Sequence, residues 1–172
     1  AYLRLASGSR NTFLLESVEG GEIRGRFSVI GLSPDLIWRC RGNVAEINRD
    51  PANSGEFSAD SRAPIDSLRA LMAESAMADT GNLPPMSAGL FGYFGYDMIR
   101  HIEAIPDANP AVIDTPDSML VRPSLIAIFD RLKDSITFVV QVRPAEWDEP
   151  QAAWSHAQDR IAAALDALDA PM

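Results

Sequence analysis

One cysteine, Cys40, is all this 172-residue chain carries, so no disulfide can form within it. A lone thiol reads as a buried core residue in a reducing cytoplasm, not as a reactive nucleophile. Histidine is almost as scarce. His101 and His156 stand far apart, with no neighbouring Cys, His or Glu at metal-ligand spacing, and both read as surface or boundary residues. Positive charge is in deficit: 15 Lys and Arg against 24 Asp and Glu leave a net charge of -9. That excludes a protein that grips a nucleic-acid backbone, which needs clustered basic residues. No run approaches the roughly 18 apolar residues that cross a bilayer, so no membrane role is read. The opening "AYLRLASGSR" lacks the continuous apolar core of a signal peptide. No G-x-S-x-G elbow is present, so no hydrolase nucleophile is indicated.

What is there is ordinary globular material. Hydrophobic residues make up 47% and charged residues 23%, enough for one domain with a sizeable core. "NTFLLESV" (11–18) reads as a strand, Gly20-Gly21 as a turn. "RGRFSVIGL" (24–32) alternates, with Arg24, Arg26 and Ser28 on one side and Phe27 and Val29 on the other, which predicts one wet and one dry face. Ser33-Pro34-Asp35 reads as a turn. "LIWRCRG" and "NVAEINR" then form a hairpin across Gly42-Asn43. Residues 50–64 read as a loop. "PIDSLRALMAESA" predicts a helix with Pro64 in its first turn and an apolar stripe of Ile65, Leu68, Leu71 and Met72. "AIPDANPAVIDTPD" is a proline-punctuated loop. "SMLVRPSLIAIFD" is a long strand, its "SLIAIF" half buried on both faces, and "RLKD" turns it into its antiparallel partner "SITFVVQVRP". An alanine-rich helix follows, with Trp154, Ile161, Leu165 and Leu168 close to one face. The order ββββ, α, β, ββ, α predicts an α+β fold, a largely antiparallel sheet with flanking helices. The chain opens on Ala1 inside what reads as the end of an amphipathic helix, so the expectation is a piece of a longer protein.

"GLFGYFGYD" (89–97) spaces its glycines G-x-x-G-x-x-G among aromatic rings, not G-x-G-x-x-G, and has no Lys-Ser/Thr of a phosphate loop. Its glycines read as sites of close backbone approach inside a strand. The following "DMIRHI" reads as a short helix with Asp97 near its N-terminus.

The "LLES" tip of the first strand ends an apolar run in Glu16 and Ser17. Two readings stand: the strand runs out into solvent there, or the two polar groups face something that needs them. No complete active site is visible, so no catalytic residue and no metal ligand is assigned.

Three stretches together, "FLLESVEGGEIRGRFSVIGLSPDLIWRCRG", "MSAGLFGYFGYDMIRHIE" and "RPSLIAIFD", closely resemble the N-terminal region of the anthranilate synthase component I family, among the chorismate-utilising enzymes. The resemblance spans 1–172 in order, leaving the loop at 50–62 unmatched. The "LLES" and "GYFGYD" blocks also occur, less faithfully, in aminodeoxychorismate synthase component I, the runner-up. A free-standing small-molecule-binding domain with no catalytic partner is the third reading. The resemblance implies two large sheets with helices outside, built from interleaved N- and C-terminal portions. It implies an enzyme that converts chorismate to anthranilate and pyruvate with Mg2+ and with ammonia from a glutamine amidotransferase subunit or domain, in the first committed step of tryptophan synthesis. It implies feedback inhibition by L-tryptophan, with Leu15, Glu16 and Ser17 lining the tryptophan pocket and the other wall supplied by the C-terminal portion. Arg26 and Ser28 lie on the neighbouring strand as candidate neighbours of that pocket. The chorismate and magnesium residues belong to the C-terminal portion, so these 172 residues are expected to be inactive alone, to hold no cofactor, and to self-associate through uncovered strand edges.

Overall fold

The structure, a computed structural model, describes residues 1–16, 25–77, 81–106 and 113–170. Ser17, Val18, the Gly20-Gly21 turn and Arg24 lie outside the described residues, as does part of the proline-punctuated loop. The elements are helix α1 (Tyr2–Leu5), strands β1 (Phe13–Leu15), β2 (Phe27–Arg41), β3 (Val44–Asn48) and β4 (Ser58–Ala59), and helix α2 (Pro64–Glu74). Then come strands β5 (Phe91–Phe94), β6 (Ser118–Asp130) and β7 (Ser135–Val140), and helix α3 (Pro150–Asp169). The seven strands form one sheet in the order β4-β3-β2-β6-β5, with β1 against β2 and β7 against β6. Every strand pair whose register is resolved is antiparallel, so the α+β reading holds.

The chain divides into two compact units, Ala1–Pro34 with Met77–Ala88 and Pro123–Met172, and Asp35–Ala76 with Gly89–Arg122. The long strands β2 and β6 each belong to both. In the first unit the core is Ile30, Leu32, Leu125, Ala127 and Ala164, with Tyr2, Leu5, Phe129, Phe138 and Val140 packed on it. In the second it is Leu36, Trp38, Cys40, Ala45, Leu68, Leu71, Met98 and Leu120. There the Trp38 indole N–H donates to Ser67 Oγ (3.0 Å), and that hydroxyl donates to Asp60 (2.8 Å), so a fully buried ring leaves no polar atom unpaired. Cys40 is buried, as read. Its Sγ donates to the Gly42 carbonyl (3.3 Å) and lies 3.6 Å from His101 Nε2, and burial pushes the thiol up to about 11.

The Gly42-Asn43 hairpin forms with Arg41 facing Val44, and Gly42 takes the positive φ of 53° that the turn requires. The β6–β7 hairpin forms in full, from Asp130 opposite Ser135 to Leu125 opposite Val140. "DMIRHI" is a short 3-10 helix, Tyr96–His101, with Asp97 in its first turn bonded to Arg100.

Four local expectations are corrected. The stretch from Ser28 to Leu32 is buried throughout, with no wet face, because it is an interior strand: Ile30 and Leu32 enter the core, and the Phe13 ring covers Gly31 on the opposite face. Ser33-Pro34-Asp35 does not turn the chain. β2 runs straight through it, with a left-handed φ of 47° at Ser33 and the Ser33 carbonyl capped by the Ser124 hydroxyl. The 50–64 loop contains β4, which pairs with β3. The helix stripes are narrower than read. Met72 of α2 is 59% exposed, and on α3 the buried line is Ala153, Ala157 and Ala164 while Trp154 and Leu165 are 60% and 49% exposed.

Candidate functional site

The first strand is three residues long because only Phe13, Leu14 and Leu15 find partners, opposite Gly31, Ile30 and Val29 of β2. The pairing stops at Leu15. Leu14 and Leu15 are both partly exposed, on opposite faces of the strand. Glu16 follows at once. Its carboxylate is neither free in solvent nor buried: it accepts a bond from Arg131 Nη2 at 2.8 Å, both side chains being about half exposed. Ser17, the third residue of the proposed pocket, lies outside the described residues.

The residue before β2 and the turn after β6 complete the corner. Arg26 forks onto Asp130 with two bonds of 2.8 and 2.6 Å. Asp130 also accepts from the backbone N–H groups of Leu132 and Lys133. The Arg26 fork, supported by those two N–H groups, holds the Asp130 carboxyl down at about 2, and the same fork raises Arg26. The guanidinium also lies 4.8 Å from the centre of the Phe27 ring. The backbone N–H of Arg131 bonds to the Arg26 carbonyl (3.0 Å), which fixes the turn against β2. Arg26 is therefore committed to Asp130 and has no charge to spare for a ligand.

Ser28 differs. It is the second residue of β2, one place beyond the last β1–β2 pair, Leu15 with Val29. Its hydroxyl is buried and has no hydrogen-bond partner, the one such side-chain atom among the described residues. A buried hydroxyl without a partner is uncommon and marks a place where a bond is missing.

The structure thus brings Glu16, just past β1, together with Arg131, 115 positions further on. Sequence reasoning missed Arg131: "RLKD" carries a turn signal and nothing that points back to the first strand. Chemically, the corner offers a carboxylate and a guanidinium beside a half-exposed leucine, a set that suits a small zwitterion with an apolar side chain. Among the described residues no group of three or more His, Cys, Asp or Glu side chains could hold a metal ion. None of the helices described is long and apolar enough to cross a membrane.

No protein-family model matches the chain. A crystal structure of anthranilate synthase component I from Streptococcus pneumoniae has the same fold, with a TM-score of 0.69 over 95% of this chain and 33% of that one, at 23% identity. The fold is therefore the antiparallel α+β architecture found in that class of enzyme. At the level of sequence, the chain is 45% identical over 97% of its length to anthranilate synthase component 1 of Cereibacter sphaeroides. It is 34% identical over 99% of its length to the protein of the same name from Pseudomonas putida, and 32% identical over 90% to that from Thermus thermophilus. This chain is a homologue of anthranilate synthase component I. It spans about a third of the length of the curated relatives it matches.

Proposed function

We propose that this chain is the tryptophan-sensing portion of an anthranilate synthase component I. In that reading chorismate is converted to anthranilate and pyruvate, with ammonia from a glutamine amidotransferase partner, on residues outside these 172, in the cytoplasm. The corner at Glu16 holds L-tryptophan as the end product that shuts the reaction down. The observation that carries the reading is the 45% identity across 97% of the chain to a protein bearing that enzyme's name.

The chemistry of the corner supports it. An amino acid needs an acceptor for its ammonium group, donors for its carboxylate and an apolar wall for its ring. Glu16 supplies the acceptor, and Leu15, next to it in the chain, supplies exposed apolar surface. Ser17 supplies a hydroxyl at the next position. Charge-assisted bonds of this type contribute roughly 1.5–3 kcal/mol each. The magnesium that the family resemblance implies has no ligand cluster among the described residues, so no step is assigned to it here. The family resemblance puts the chorismate-binding residues outside these 172, so the 172 residues alone are expected to form no anthranilate.

Calorimetric titration of L-tryptophan into the complete encoded polypeptide, then into its Ser17→Ala variant, tests the pocket. The variant should bind about tenfold more weakly, the loss expected from one charge-assisted hydrogen bond. Equal affinity in the two proteins removes Ser17 from the site.

A further inference from the structure

We propose that Arg131 is the carboxylate-binding residue of this amino-acid site, and that the Glu16–Arg131 ion pair is the empty site closed upon itself. The ligand opens it by exchange: its ammonium group takes over Glu16 and its carboxylate takes over Arg131. The inference rests on the tryptophan reading above and adds the residue and the resting state that reading lacks.

An α-amino acid carries opposite charges two bonds apart. A carboxylate and a guanidinium already in contact, at 2.8 Å, present the complementary charges at the same short separation. The fold brings the two together from the end of β1 and the β6–β7 turn, so the pairing is a product of tertiary structure and not of local sequence.

Two arginines share this corner, and they are held differently. Arg26 makes a two-bond fork to an almost buried Asp130, which is itself fixed by two backbone N–H groups. Arg131 makes one side-chain bond, to a carboxylate that is half exposed. An exposed single-contact pair contributes little to stability, so separating it costs little, whereas a fork is geometrically committed. The Arg131 backbone is pinned to β2 through its N–H, so the side chain can swing while the turn stays in place.

The test separates the two ends of the ligand. L-tryptophan and tryptamine, which lacks the carboxylate, are titrated calorimetrically into the complete encoded polypeptide and its Arg131→Gln and Arg131→Lys variants. Arg131→Gln should weaken tryptophan about tenfold, as loss of one charge-assisted bond predicts, and should leave tryptamine no weaker, since Glu16 is then freed of its internal partner. Arg131→Lys, which keeps the charge at a single-contact site, should recover most of the affinity. Wild-type affinity for tryptophan in Arg131→Gln overturns the proposal, and so does an equal loss for both ligands, which would mark a purely structural residue. A wild-type protein that binds no tryptophan overturns the tryptophan reading itself.

Discussion

Gly92→Ala should destabilise the protein by about 3 kcal/mol or more, at the upper end of what single substitutions do. A Cβ added at Gly92 would stand 1.9 Å from the Met119 carbonyl oxygen and 2.9 Å from the Leu120 Cα. Both are backbone atoms of the strand to which β5 is paired, so no rotamer change relieves the clash. One strand has to move off the other. β5 is the terminal strand of the sheet order and is four residues long, so β5 is the one expected to peel away. Its departure would loosen Leu90 and Met98, which pack in the second core from either side of it. The loss is read as a lower urea midpoint at nearly unchanged slope, with faster amide exchange across 91–94. A midpoint within about 0.5 kcal/mol of wild type would mean that the sheet accommodates the methyl group and that the close approach has no energetic role.

Arg122→Met should cost about 3 kcal/mol. Arg122 is 3% exposed, and its guanidinium donates to Asp35 (2.8 Å), Glu74 (2.9 Å) and Ser75 (3.3 Å). Removing one partner of a buried ionic cluster typically costs 3–5 kcal/mol, because the charges left behind have lost their compensation. Here the lower end applies, since Asp35 and Glu74 keep some contact with water and Glu74 retains its fork from Arg49. Acid sensitivity provides a second readout. Glu74 is held down from 4.5 to about 2, chiefly by its bonds from Arg49 and then by Arg122. A depressed carboxyl contributes stability that is complete above its unfolded value and is lost as pH falls through the folded one. Wild type should therefore lose stability between about pH 4.5 and 2. In Arg122→Met the acid midpoint should rise, though only in part, because Arg49 remains. An unchanged urea midpoint in the variant would show the cluster to be dispensable.

Much of the architecture was legible because it rests on local chemistry. The Gly42-Asn43 turn, the β6–β7 hairpin and the Pro64 helix start each follow from residues that tolerate few alternatives. The interior of the sheet was harder. Ser33-Pro34-Asp35 has turn composition, yet β2 passes through it with one left-handed residue, because pairing along a 15-residue strand outweighs a local preference. The pattern yields four strands before α2, the number found, because two differences cancel: it splits β2 in two and reads β4 as loop. Helix α3 shows a different limit. Three alanines face its packing partners, and small residues allow closer approach than the large apolar residues that the periodicity singled out. At the candidate site, Glu16 was conspicuous because a carboxylate ended an apolar strand. Arg131 was not, since a partner 115 positions away leaves no trace in either local pattern.

Cys40 gives the molecule a built-in stopwatch. Its thiol is fully enclosed, and with a pKa pushed up to about 11 it supplies almost no thiolate near neutrality. An alkylating reagent mixed with the folded protein must wait until the core around it, with Trp38, Leu71 and Met98, opens. Because the chain has no second sulfhydryl, every adduct dates one such opening.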